Sequence, residues 1–70
     1  MISTTHHVRG MTCSHCAAAV GAEVRALPGV TEVEVDVPAG RVTVHAETDV
    51  PDAAVADAVS EAGYAWAGRA

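Results

Sequence analysis

Seventy residues make one small domain, near the lower limit at which a hydrophobic core alone holds a fold together. Half the residues are hydrophobic, yet Phe is absent and only Tyr64 and Trp66 are aromatic, so Val, Ala, Leu and Ile must fill a tight interior. Such an interior leaves little room for an organic substrate and argues against an enzyme, while a formal charge of −5 and scattered arginines argue against nucleic acid.

An acidic surface favours instead a partner with a basic patch. The N-terminal MISTTHHVRG lacks the basic start and apolar stretch of a secretory signal. No apolar run approaches the ~20 residues that span a bilayer. The expectation is a cytoplasmic protein without membrane insertion.

Residues 4–9 read as a short strand that leads into GMTCSHC, residues 10–16. His6 and His7 are neighbours on it and point to opposite faces, so they are not read as a metal pair. From Cys16 onward a helix is expected, with Ala17, Val20, Val24 and Leu27 on its buried face and Glu23 and Arg25 off it. Pro28 and Gly29 end it.

VTEVEVDV then alternates cleanly, with Val33, Val35 and Val37 on one side and Glu32, Glu34 and Asp36 on the other. That is the pattern of a half-buried strand. Pro38, Ala39 and Gly40 turn the chain, and Val42, Val44 and Ala46 point inward on the returning strand of a hairpin, leaving His45 on the solvated face. A second helix follows, with Pro51 at its first helical position, Asp52 complementing the dipole and Gly63 as left-handed cap. Val55, Val59 and Ala62 form its buried stripe, and residues 64–68 make a last short strand.

Strand-helix-strand therefore occurs twice. Right-handed crossovers with a hairpin between the halves give a four-stranded antiparallel sheet with both helices on one face. This is an α+β, ferredoxin-like βαββαβ sandwich, a scaffold that serves many functions.

Chemistry concentrates at Cys13 and Cys16. Cys16 starts the buried stripe and is expected to be partly covered; Cys13, in the preceding loop, is expected to be more exposed. The first turn of a helix offers amide donors and a positive dipole end, both of which favour a thiolate. A structural zinc site wants about four ligands, whereas this chain supplies two sulfurs and at most His15. Copper(I) is soft, suits thiolates and accepts two ligands. Disulfide exchange is the rival reading of CxxC, and metal binding is favoured over it.

Residues 10–16 match the GMTCxxC signature of heavy-metal-associated domains, and the whole chain resembles the bacterial copper chaperones of that family. LPGV after the first helix and EAGY after the second are similar to the family as well. The resemblance implies copper(I) binding by Cys13 and Cys16, with transfer by thiolate exchange to the metal-binding domain of a copper-transporting P-type ATPase. A copper-responsive repressor is a second acceptor it suggests.

A monomer without metal and a copper-bridged homodimer are both compatible with that reading. Thr12 stands where zinc-selecting members carry an acidic residue, which points to copper, with mercury or zinc as the alternative cargo. Met11 is read as an apolar anchor for the loop rather than a thioether ligand. His15 is read as an accessory, pH-sensitive residue near the metal, and Tyr64 as a residue that shields the sulfurs. His6 departs from the family, which places an apolar residue there.

Overall fold

Valine dominates the inward positions of both helices and of β2 and β3, and those elements follow from that spacing. The computed structural model describes residues 1–11 and 14–70. It has β1 at Ile2–Arg9, α1 at Ser14–Arg25, β2 at Val30–Asp36, β3 at Arg41–Ala46, α2 at Asp52–Glu61 and β4 at Ala65–Arg69. The sheet order is β2-β3-β1-β4 with every neighbouring pair antiparallel, the ferredoxin-like arrangement expected from the sequence.

α1 packs on β2, α2 packs on β4, and the two helices touch. Val20, Val24, Val42, Val55 and Val59 expose none of their surface. Each such valine contributes ~1.5–3 kcal/mol of burial. Glu32, Glu34 and Asp36 are exposed along β2, where charge also keeps an edge strand from pairing with another chain.

Among the described residues His6 is the polar residue inside this apolar core, and it is fully buried. Trp66 Nε1–H donates to His6 Nδ1 at 3.0 Å, and Thr4 Oγ1 lies 2.9 Å from His6 Nε2. An indole nitrogen can only donate. Nδ1 must therefore accept, which puts the imidazole proton on Nε2 and leaves the ring neutral. The strand thus tolerates histidine at a core position because both ring nitrogens are satisfied.

β4 departs from simple alternation. Val8 pairs with Trp66 but His6 pairs with Arg69, so an extra residue of β4 is accommodated opposite His7. Gly68, at φ +107°, absorbs the bulge. Arg69 is thereby returned to the helix side, where its Nε–H donates to Asp52 Oδ1 at 2.5 Å.

Several boundaries move from the sequence expectation, each for a local reason. β1 begins at Ile2 rather than residue 4 because β3 offers partners as far as Ala46. α1 stops at Arg25, and Leu27 lies half-buried in the turn beyond it. There Val30 N–H donates to the Leu27 carbonyl with Gly29 at φ +86°, as in a type II turn.

Val37 belongs to the four-residue turn 37–40 rather than to a strand. Pro51 is the N-cap of α2 rather than its first helical residue: its ψ of 144° is extended, and its carbonyl accepts from Ala54 and Val55. His45 does lie on the open face, but it is more than solvated. Its Nε2 pairs with Glu34 at 2.7 Å and its Nδ1 with Ser3 at 2.8 Å, bridging β2, β3 and β1.

Candidate metal centre

The antiparallel pairing brings three connections to one end of the sheet. β1 ends there, beside the starts of β3 and β4, since His7 pairs with Arg41 and Arg9 with Ala65. The hairpin turn is tied to β1 by Val8 N–H donating to the Gly40 carbonyl at 2.8 Å. The β1–α1 connection, which carries the GMTCSHC motif, leaves from this same end.

Gly10 turns the chain out of β1 at φ +95°. Met11 follows it and is buried in the valine core, 7% exposed. Thr12 and Cys13 lie outside the described residues. Beyond them α1 opens at Ser14, so His15 and Cys16 occupy its first turn. His15 is exposed; Cys16 is partly buried and packs against the core. The partial cover expected for Cys16 is what its place at the head of the Val20–Val24 stripe produces.

Tyr64 reaches this end through the way α2 terminates. Gly63, at φ +94°, lets its own N–H donate to Ser60 and lets Tyr64 N–H donate to Val59. These are the two hydrogen bonds of a Schellman cap. The cap claims Tyr64, which is why β4 starts one residue later than the sequence suggests, at Ala65. Tyr64 is half-buried, and a Cβ at Gly10 would lie 3.2 Å from its Cδ1. The ring therefore lies against the residue that opens the cysteine loop.

The first turn of α1 carries the positive end of the helix dipole. A thiolate at Cys16 is thus placed in a favourable field. Two histidines of the sheet are otherwise engaged: His6 by Trp66 and Thr4, His45 by Glu34 and Ser3. Among the described residues no three His, Cys, Asp or Glu side chains converge on a point where an ion could sit. No helix among them is long and apolar enough to cross a membrane.

Sequence reading placed Tyr64 near the cysteines by resemblance without giving its contact with Gly10, and it missed the pairing of His6 with Trp66. A signal for the second was available: Trp66 and His6 both carry polar atoms that need partners when buried.

A family model described as the heavy-metal-associated domain matches residues 5–65. The chain belongs to that family. This heavy-metal-associated domain is 42% identical over 65 residues to the copper chaperone CopZ of Bacillus subtilis (strain 168), covering 91% of the chain and 94% of that protein. It is 36% identical over 64 residues to copper-transporting ATPase 2 of Rhizobium meliloti (strain 1021), covering 91% of the chain and 8% of the ATPase. Among solved structures, the N-terminal domain of ZntA in its Zn(II) form is similar at 35% identity and a TM-score of 0.83, covering 94% and 89% of the two chains.

Proposed function

We propose that this heavy-metal-associated domain is a cytoplasmic copper(I) carrier. In this reading Cys13 and Cys16 hold the ion and pass it, by thiolate exchange, to a copper-exporting P-type ATPase. The observation that carries it is the GMTCSHC motif in a chain 42% identical, over nearly the whole of both, to a protein named as a copper chaperone.

Copper(I) is soft and pairs with thiolates ahead of carboxylates or carbonyls. Cys16 is anchored in α1, so it is the sulfur that keeps the ion while Cys13 is replaced. An acceptor thiolate adds to the copper, a three-sulfur intermediate forms, and Cys13 leaves as a thiolate. Charge is conserved and no oxidation occurs. Because like ligands replace like, donor and acceptor can differ little in affinity and still exchange quickly.

His15, exposed in the first turn, tunes the charge beside the sulfurs without binding the ion. Tyr64 shields the loop from the β4 side. Met11 holds the loop to the core. The acceptor is a domain of the same kind: the relative with an ATPase name matches this chain over a short part of its length. A copper-responsive repressor is a second acceptor, and two chains can share copper as a bridged dimer.

Zinc is the second reading of the cargo, favoured by the similarity to a domain solved in its Zn(II) form. Thr12 counts against it, since no hard acidic ligand precedes Cys13.

Copper-loaded chain mixed with a separately purified metal-binding domain of a copper ATPase, then resolved by anion exchange, tests the transfer. Copper should distribute between both proteins within the mixing time. A donor that retains all its copper would overturn the carrier role, and copper-independent dithiol turnover would favour disulfide exchange.

A further inference from the structure

The pairing of His6 with Trp66 has a geometry that one proton undoes. His6 sits on β1 and Trp66 on β4, and the indole N–H is received by the lone pair of Nδ1 at 3.0 Å. The rings lie 6.2 Å apart at an interplanar angle of 47°. A proton on Nδ1 would face the indole N–H donor to donor, so the hydrogen bond and the imidazolium cannot coexist in this arrangement. Nε2–H is already directed at Thr4 Oγ1, so that side of the ring offers the added charge no new acceptor.

The surroundings set the terms of that protonation. β3 places Val42 opposite His6, and the valines of α1 and α2 close the core around it. Asp52 at the start of α2 and Arg69 on β4 are the charged groups that bear on the ring, one favouring the proton and the other opposing it. They are bonded to each other and act on His6 in opposite directions. Burial is the larger influence and pushes the histidine below its ordinary value.

The seam matters beyond itself. Val8 pairs with Trp66 and Arg9 with Ala65, and two residues before Trp66 the ring of Tyr64 lies against Gly10. β4 is an edge strand paired within the sheet to β1 alone, with α2 packed against it; Tyr64 joins the α2 cap to this strand, so the seam bears on how firmly its ring meets Gly10.

We propose that the His6–Trp66 hydrogen bond is an acid-sensitive latch between β1 and β4: proton uptake at His6 Nδ1 breaks it and loosens the strand that follows Tyr64, whose ring lies against Gly10. The latch is a property of the metal-free chain and stands or falls apart from the nature of the cargo.

Trp66 is the single tryptophan, so its indole signal reports on the latch directly. Reduced, metal-free protein is titrated from pH 8 to pH 4.5 while the indole N–H and the histidine ring carbons are followed by NMR. The indole resonance should move with a one-proton midpoint below 6.5, shared with the His6 ring, while the chain stays folded. Trp66→Phe should raise the His6 midpoint by about half to one pH unit, because protonation no longer sacrifices a hydrogen bond. His6→Leu should abolish the indole transition. An indole signal that stays fixed while His6 titrates would overturn the latch, as would loss of the signal only when the whole chain unfolds, or a His6 midpoint indifferent to Trp66→Phe.

Discussion

His6 is the fully buried titratable side chain among the described residues, so a charge there falls inside the core. Its folded-state value lies below 6.5 because burial penalises the charged ring, with Asp52 opposing and Arg69 reinforcing that shift. The unfolded chain therefore binds the proton more readily. Stability from this group is complete above pH 6.5 and is lost as the pH falls, by at most about 1.4 kcal/mol per unit, until the folded state protonates as well. Urea midpoints should drop between pH 7.5 and pH 5, and the drop should be smaller in His6→Leu. The same pair invites a double-mutant cycle. His6→Leu alone strands the Trp66 N–H and should cost ~1–2 kcal/mol, whereas adding Trp66→Phe removes the orphaned donor. The double variant should therefore be more stable than the sum of the singles by about 1 kcal/mol, read from denaturation curves.

At the scale of elements, β4 owes its function to two glycines with positive φ. Gly63 ends α2 and delivers Tyr64; Gly68 makes the bulge that turns Arg69 towards Asp52. A Cβ at either position would meet nothing within 4 Å, so substitution is opposed by backbone conformation alone. Gly68→Ala should cost ~1–2 kcal/mol in chemical denaturation. Gly29→Ala carries a second penalty, since its Cβ would come within 2.7 Å of Thr48 Oγ1 as well as requiring φ +86°. It should be the more damaging of the two. The Arg69–Asp52 pair is solvent-facing, so Asp52→Asn should destabilise at low salt and differ less from wild type in 1 M NaCl.

For the molecule as a whole, the alternation of VTEVEVDV and RVTVHA and the spacing of Val20, Val24, Val55 and Val59 were enough to read the sheet and both helices. Burial of one face is written directly into period 2 and period 3.6. What alternation could not carry was a residue that breaks it. The bulge at Gly68 moves Arg69 across the sheet, and His6 looks like a flaw until its distant partner Trp66 is brought beside it, 60 residues along the chain. The site was legible as a motif, GMTCSHC at the exit of β1. Tyr64 was read near it from the family resemblance alone; residue spacing could not place it there, because its contact with Gly10 comes from the cap of a helix remote in sequence. The most direct measurement is native mass spectrometry of the reduced chain offered copper(I) and zinc(II) together, in the presence of chelators of known strength. Wild type should take up copper(I) in preference to zinc, and Cys13→Ser or Cys16→Ser should each lose it by at least tenfold in apparent affinity, about 1.4 kcal/mol, with His15→Ala reducing it only modestly. Zinc taken up in preference to copper(I), or copper(I) bound equally well with both cysteines replaced, would contradict the account.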